Sequence, residues 1–282
     1  MCGIAGLIDQ SPQSRIGAML QAIEHRGRDD EGVWTSAPVN GAGQRVCLGH
    51  RRLSIIDTSS AGHQPMLSHD GRFVAILNGE IYNYRELREQ LIAKGHQFQT
   101  QTDTEVLLEA WAEWGEGCLD RLNGMFAFAL WDDRERALYL VRDHVGIKPL
   151  YYAAVRKPDR QGGCLIFASE IKSILASGLI KAELDTGSLH QFLTFLWAPD
   201  PNTLFKNIKT VPPGHLLEWR DGTIAIRQWW DISFDDLEQG RSEEWWQERV
   251  LETLDRVVKL EMVADVPLGS FLSGGIDRKS VV

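Results

Sequence analysis

Apolar residues recur every three to four positions in several parts of the chain, which is the spacing of an amphipathic helix. Ile16, Met19, Leu20 and Ile23 share one face of such a helix, which we predict over residues 14–25. The same pattern predicts further helices over residues 84–94, 103–114 and 187–197.

Short apolar or alternating segments between turn residues predict β-strands. They cover residues 2–8, 45–50, 54–57 and 73–78 and the stretches FAFALWD, ALYLVRD, PLYYAAV and CLIFASE. NGEIYN is typical of a turn, and Asp221-Gly222 predicts a hairpin within LLEWRDGTIAIRQWW. Many strands with few helices favour an α+β layered sandwich, with two sheets and helices outside them.

The pattern changes towards the end of the chain. A helix is predicted over residues 242–262, followed by a strand in VPLGSFL and a loop in SGGID. This order is typical of the opening of an α/β domain. We therefore expect a first domain over residues 2–215, a connector over residues 216–240 and the start of a second domain over residues 241–282.

The amino-acid composition argues against several classes of function. The hydrophobic content of 43% is that of a globular protein, and the net charge of −9 argues against nucleic acid or an anionic membrane as the main partner. We find no apolar run long enough for a transmembrane helix and no secretory signal. Four scattered cysteines indicate a reduced, cytoplasmic protein.

Cys2 is the first candidate for chemistry, because removal of Met1 would expose its α-amine. An α-amine has a pKa near ~7.7–8, so part of it is unprotonated at neutral pH. It could take the proton of the thiol without help from a histidine. Taken alone, however, a cysteine at position 2 is common in cytosolic proteins.

A series of motifs follows CGIAG in a fixed order. They are HRGRDDEG, GHRRLSIID, QPM, NGEIYN, TDTE, GMFAFALWD, RDHVGIKPLYY and FASEIK. Together they resemble the class II glutamine amidotransferase domain of glutamine-hydrolysing asparagine synthetases over roughly residues 2–215. The resemblance implies an N-terminal-nucleophile αββα sandwich, with Cys2 as the nucleophile that releases ammonia from glutamine.

The resemblance also implies a glutamine-binding set. Arg52 matches the anchor of the α-carboxylate, and a guanidinium binds carboxylates bidentately. Asp103 matches the partner of the α-ammonium, although the same carboxylate is a plausible N-cap for the helix that follows. Leu53, Ile56 and Glu80 complete the glutamine contacts. Taken alone, Arg52 is typical of a solvated charge at a strand end.

Asn78 and Gly79 match the donors that stabilise the oxyanion formed when the thiolate attacks the amide. The Asn78 side-chain amide and the Gly79 backbone N–H would supply these hydrogen bonds. A glycine also allows close approach of the backbone. Without the resemblance, Asn78 and Gly79 would be typical of an ordinary Asn-Gly turn. We expect no metal and no cofactor for this half of the reaction.

The SGGID loop resembles the phosphate-binding loop of ATP-dependent synthetases. The residues that match it are Leu272, Ser273, Gly274, Gly275 and Asp277. In that family the loop binds ATP with Mg²⁺, aspartate is adenylated, and ammonia then displaces AMP to give asparagine.

The synthetase half is expected to be truncated, so that this chain alone would not make asparagine. The chain departs from the family pattern at Arg278 and Lys279, where serines are expected. Residues 277–282 can be encoded by a string that resembles a sequencing adapter, in which case Asp277 matches the loop by coincidence; a frameshift or early stop is the alternative. Two other functions stay open: amidation of a different carboxylate acceptor, and an inactive remnant that binds glutamine. A homodimer also stays open.

Overall fold

The computed structural model describes residues 1–155, 163–234 and 238–269, which form twelve strands in two antiparallel sheets. The strands are β1 (Gly3–Asp9), β2 (Asp30–Thr35), β3 (Arg45–Arg52), β4 (Met66–Leu67), β5 (Phe73–Ile81), β6 (Gly124–Asp132), β7 (Ala137–Arg142), β8 (Tyr151–Val155), β9 (Cys164–Ala168), β10 (Lys209–Thr210), β11 (His215–Arg220) and β12 (Thr223–Gln228). Sheet A has the order β10-β8-β9-β1-β3-β2, and sheet B has the order β12-β11-β7-β6-β5-β4.

Six α-helices accompany the sheets in the described residues. They are α1 (Gln13–Ala22), α2 (Tyr84–Ala93), α3 (Asp103–Trp114), α4 (Ile171–Ala176), α5 (Thr186–Phe195) and α6 (Glu243–Glu261). None of them combines the length and the apolar character that a membrane span requires.

The buried apolar residues fall into three layers that define a four-layered sandwich. Between the two sheets, Ile4 and Ile8 of β1 pack in one cluster with Ile76 and Trp131 of sheet B. The outer face of sheet A packs against α1 and α4, and the outer face of sheet B packs against α2 and α3. The order helices, sheet, sheet, helices confirms the predicted αββα sandwich.

Strand β1 lies at the centre of sheet A, between β3 and β9, and all seven of its residues are buried. A side chain at Gly6 has no room, because a Cβ there would lie 2.3 Å from the Phe167 ring and 2.8 Å from the Cys47 carbonyl oxygen. This close packing fixes the depth of β1 between the two layers, and the strand begins one residue after Cys2.

Helix α3 confirms the predicted range, but its N-cap differs from the prediction. The Thr102 hydroxyl accepts a hydrogen bond from the Glu105 N–H at 3.1 Å, so Thr102 caps the helix. The Asp103 carboxylate instead accepts the Ile81 N–H of β5 at 3.0 Å. Asp103 is therefore turned towards the sheet rather than along its own helix.

Two local predictions were wrong. Residues 54–57 form a loop rather than a strand, because the Arg52 guanidinium binds the carbonyls of Ile56 and Asp57, which a neighbouring strand would otherwise bind. Residues 78–81 do not form a turn; they continue β5 and pair with β6 from Asn78 to Ile81.

The hairpin around Asp221-Gly222 is confirmed, and both residues have positive φ, as a tight two-residue turn requires. Because β11 pairs with β7, sheet B continues to Gln228, past residue 215. Helix α6 confirms the prediction over residues 242–262, capped by Ser242. The described part of VPLGSFL, residues 266–269, is not a strand.

The packing of β1 generates a prediction about two glycines. Gly6→Ala should lower the free energy of unfolding by about 1–3 kcal/mol, because the added methyl group must displace a buried aromatic ring. Urea unfolding followed by circular dichroism would measure the change.

Gly17→Ala is the matched control. Gly17 is exposed on α1 and a Cβ there meets no atom within 4 Å, so alanine should stabilise the protein by up to about 1 kcal/mol through its helix propensity. Equal effects of the two substitutions would contradict the packing described for β1.

Candidate functional site

A cavity opens at the first residues of β1, between the end of β3, the outer edge of β5 and the start of α3. Its lining brings together residues that lie far apart in the sequence. They are Met1, Cys2, Arg52, Leu53, Ile55, Ile56, Gly62, Gln64, Leu77, Asn78, Gly79, Glu80, Thr102, Asp103, Thr104 and Lys148. All eight residues that the sequence analysis assigned to catalysis or glutamine binding are in this set.

The backbone and side chain of Cys2 are held from three sides. Arg26 donates from Nε to the Cys2 carbonyl at 2.8 Å, and its guanidinium also pairs with Glu170 at 3.1 Å. The Leu53 N–H points at the Cys2 Sγ at 3.4 Å, and the Leu53 carbonyl lies 3.5 Å from the same sulfur. Further along β1, Ser169 Oγ accepts the Ile4 N–H. The sulfur therefore has a fixed place at the cavity wall.

The thiol of Cys2 is protonated at neutral pH before any reaction begins. Burial raises its pKa, and this outweighs the Leu53 N–H and the neighbouring positive charges, which act in the opposite direction. The terminal amine of Met1 shifts the other way: burial lowers its pKa, and Arg26 and Lys148 lower it further, although Cys2 and Glu80 oppose the shift. The surroundings of Cys2 thus favour a protonated thiol and an unprotonated amine.

Asn78 is a fully buried residue on β5, and both atoms of its side-chain amide lack a hydrogen-bond partner among the described residues. Leaving such a group unpaired costs about 1–3 kcal/mol. An amide kept unpaired at a cavity wall is therefore available to a ligand.

Gly79 follows Asn78 on β5, where the strands come unusually close. A Cβ at Gly79 would lie 2.1 Å from the Met125 carbonyl oxygen of β6, so only glycine fits. Gly79 is paired with Phe126 of β6, but both backbone groups of Phe126 bond to Asp143 instead of to β5. The Phe126 N–H donates to the Asp143 carboxylate, and the Phe126 carbonyl accepts the Asp143 N–H. The pair is therefore a non-hydrogen-bonded one, and the Gly79 N–H faces away from β6.

Arg52 is buried at the end of β3 and uses three hydrogen bonds to shape the loop beside it. Nη1 donates to the Ser59 carbonyl at 2.8 Å, and Nη2 donates to the carbonyls of Ile56 and Asp57. A guanidinium has five N–H groups, so at least two remain for a ligand in the cavity. The sequence did not indicate this second role in the loop.

Two carboxyl groups, those of Asp103 and Glu80, also line the cavity. Burial raises the pKa of Asp103 to about 6, with a further contribution from Glu80 that the Ile81 N–H partly offsets. Burial also raises the pKa of Glu80, and Lys148 opposes that shift. An ammonium ion placed here would meet at least one negative charge at neutral pH.

The walls also include the remaining predicted residues and several polar side chains that the sequence analysis missed. Leu53 contributes its backbone beside the sulfur, and Ile56 contributes an apolar side chain that is 7% exposed. Gln64, Thr104 and Lys148 received no role from the sequence, although QPM, TDTE and GIKPLYY contain them. Their roles depend on contacts across the fold, which the motifs do not reveal.

The second candidate site lies outside the described residues, because Leu272, Ser273, Gly274, Gly275 and Asp277 all fall within residues 270–282. Among the residues that the structure does describe, no group of three or more histidine, cysteine or acidic side chains is arranged to hold a metal ion.

Comparison with known proteins divides the chain between two family models. A glutamine amidotransferase domain matches residues 1–230, and asparagine synthase matches residues 249–282. Asparagine synthetases [glutamine-hydrolyzing] 3 and 1 of Bacillus subtilis are 36% and 38% identical over the whole chain, which covers 44% and 43% of their lengths. A putative asparagine synthetase of Methanocaldococcus jannaschii is 33% identical, and the chain covers 56% of it. The chain thus spans about half the length of these relatives.

Two solved structures share the fold. Glutamine phosphoribosylpyrophosphate amidotransferase of B. subtilis superposes with a TM-score of 0.58 at 18% identity, over 81% of this chain and 49% of that one. An allosteric regulatory enzyme of purine biosynthesis gives 0.60 at the same identity and the same coverage. With the family model matching residues 1–230, the chain belongs to the family of glutamine amidotransferase domains.

Proposed function

We propose that this chain hydrolyses glutamine to glutamate and ammonia, with Cys2 as the nucleophile. The observation that carries the proposal is the buried Asn78 amide, which lacks a partner among the described residues and lines the same cavity as the Cys2 thiol. Arg52 and Asp103 supply opposite charges in that cavity, as the α-carboxylate and α-ammonium of an amino acid require.

The first half of the reaction starts with a proton transfer. Once Met1 is removed, the α-amine of Cys2 takes the thiol proton, directly or through water, and the thiolate attacks the amide carbon of glutamine. A carbon–sulfur bond forms, and the carbonyl electron pair moves to the oxygen. The Asn78 side-chain N–H and the Gly79 backbone N–H stabilise this oxyanion.

The second half breaks two bonds in turn. The oxyanion collapses, the carbon–nitrogen bond breaks, and the α-ammonium returns its proton to the leaving nitrogen, which departs as ammonia. A water molecule then gives a proton to the amine and attacks the thioester. The carbon–sulfur bond breaks, glutamate leaves, and Cys2 regains its proton.

Recognition uses the two ends of the cavity. Arg52 binds the α-carboxylate with the N–H groups that the loop does not use, and Asp103 binds the α-ammonium together with Glu80. Leu53 and Ile56 line the path between them.

For the whole protein, we propose the synthesis of asparagine from aspartate, ATP and glutamine in the cytoplasm. The names of the relatives and the asparagine synthase match over residues 249–282 support this. ATP and Mg²⁺ would bind at the loop that includes Ser273 and Gly274. We place the end of the first domain at Gln228, where sheet B ends, and the start of the second near residue 241.

Loss of the Cys2 thiol tests the central assignment. Cys2→Ala should abolish glutamine hydrolysis, and a tag fused ahead of Met1 should do the same, because the α-amine would become an amide. Release of glutamate measured by a coupled assay gives the rate. Cys164→Ala, which removes a thiol of similar exposure on β9, should keep full activity.

The labelled residue provides an independent readout. Treatment with a chloroketone analogue of glutamine, followed by peptide mass spectrometry, should place the adduct on Cys2. An adduct on Cys47, Cys118 or Cys164 would overturn the assignment.

Substitutions of Arg52 and Asn78 should change different kinetic constants, because we assign Arg52 to glutamine binding and Asn78 to the transition state. Arg52→Lys keeps the charge but loses the planar fork, so KM for glutamine should rise by about 10- to 100-fold. Asn78→Ala removes a donor that acts mainly in the transition state, so kcat should fall by about 100- to 1000-fold. An unchanged kcat in Asn78→Ala would remove that residue from the oxyanion site.

The pKa of Asp103 predicts an acid limb in the pH profile. Because the carboxylate is ionised only above its pKa of about 6, kcat/KM should fall about tenfold for each pH unit below that value. Asp103→Asn should be less active at neutral pH and should lack this limb. If the limb persists unchanged in Asp103→Asn, another group controls it.

A further inference from the structure

The outer edge of β5 is only partly covered by a neighbouring strand. Strand β4 pairs with Val74 and Ala75 alone, and Pro65, just before β4, has no N–H to continue the ladder. Leu77, Gly79 and Ile81 therefore turn their backbone groups towards an edge that no strand among the described residues covers, at the point where β5 borders the cavity.

Side chains replace the missing strand at this edge. Gln64 accepts the Leu77 N–H on its Oε1 at 2.7 Å, and its Nε2 donates to Thr104 Oγ1 at 3.0 Å. His50 Nε2 lies 3.0 Å from the Leu77 carbonyl oxygen. Asp103 accepts the Ile81 N–H. The residues on both sides of Gly79 are thus held by side chains, while its own N–H lies between them.

His50 suits this task because it is neutral. The ring is fully buried, and burial lowers its pKa to about 4, although the bond to Leu77 opposes the shift. A neutral ring with Nε2 against a carbonyl carries its proton on that nitrogen and donates it. His50 belongs to β3 in sheet A, so this hydrogen bond crosses from one sheet to the other.

We propose that Gln64 and His50 are positioning residues for the oxyanion site. His50, bound to the Leu77 carbonyl, fixes the peptide plane that joins Leu77 to Asn78, and Gln64, bound to the Leu77 N–H, fixes the plane before it. This holds the Asn78 amide and the Gly79 N–H where the developing negative charge will lie. The proposal rests on the proposed function, and neither side chain needs to touch the reacting atoms.

The test compares near-isosteric variants of the full chain in glutamine hydrolysis. Gln64→Met and His50→Met remove the hydrogen bonds to Leu77 while filling similar space, and each should lower kcat about 10- to 100-fold with KM changed less than about threefold. His50→Gln can still donate from its own Nε2, so it should recover most of the lost kcat. Gln90→Met, on the exposed face of α2, should leave both constants unchanged.

An aldehyde analogue of glutamine provides the second readout, because its adduct with the thiol places an oxygen at the oxyanion site. Gln64→Met and His50→Met should weaken inhibition by the aldehyde about as much as they lower kcat. They should leave glutamine binding to the Cys2→Ala protein nearly unchanged. A merely structural role would instead weaken both kinds of binding together.

A milder variant keeps the test decisive if either methionine variant does not fold. Thr104→Val removes only the acceptor of the Gln64 amide and should lower kcat by a smaller factor at constant KM. Unchanged kcat in the folded Gln64 and His50 variants, or a rise in KM alone, would overturn the inference. If the unaltered chain does not hydrolyse glutamine, or Cys2→Ala still does, the proposed function itself fails.

Discussion

Strand β1 is hydrogen-bonded along both edges, to β3 and to β9, and it is buried on both faces. This arrangement determines where Cys2 lies, because the residue before a central strand cannot move independently of the sheet. Gly6 permits the close packing that sets the depth of the strand. The sulfur then meets the Leu53 backbone at the end of β3 without any rearrangement of the chain.

The cavity also depends on how charge is distributed around a neutral thiol. A buried thiol beside carboxylates keeps its proton, so the site needs a base close to the sulfur. Arg26 and Lys148 favour the unprotonated form of the Met1 amine, which lies beside the thiol. Asp103 and Glu80 line the same cavity, and the charge of Asp103 also disfavours ionisation of the thiol.

Much of this arrangement could be predicted from the sequence, because several elements have strong local signals. Helix α3 is apolar at helical spacing, and Asp221-Gly222 encodes a tight turn that occurs as expected. The motifs also indicated the set around Cys2, all of which lines one cavity. The roles of the individual residues in that set are predictions for kinetics to test.

The failures share a physical cause, which is competition between local and distant partners. Ile55 and Ile56 are apolar and β-branched, yet a buried guanidinium takes the carbonyls that a strand would use. Asp103 was predicted as the N-cap of α3, but Thr102 takes that position and the Asp103 carboxylate accepts the Ile81 N–H from the sheet. Asn78 and Gly79 suggest a turn, whereas a close neighbouring strand keeps them extended. No local pattern reveals these partners.

The loop that Arg52 shapes has a second attachment, to the segment after α6. The Asp265 N–H donates to the Ile55 carbonyl at 2.9 Å, and the Asp265 carboxylate accepts the Asp57 N–H at 2.7 Å. The loop beside the cavity is therefore joined directly to the part of the chain that matches the asparagine synthase family model. Because these two hydrogen bonds tie the loop to residue 265, the position of that segment and the shape of the cavity wall are set together.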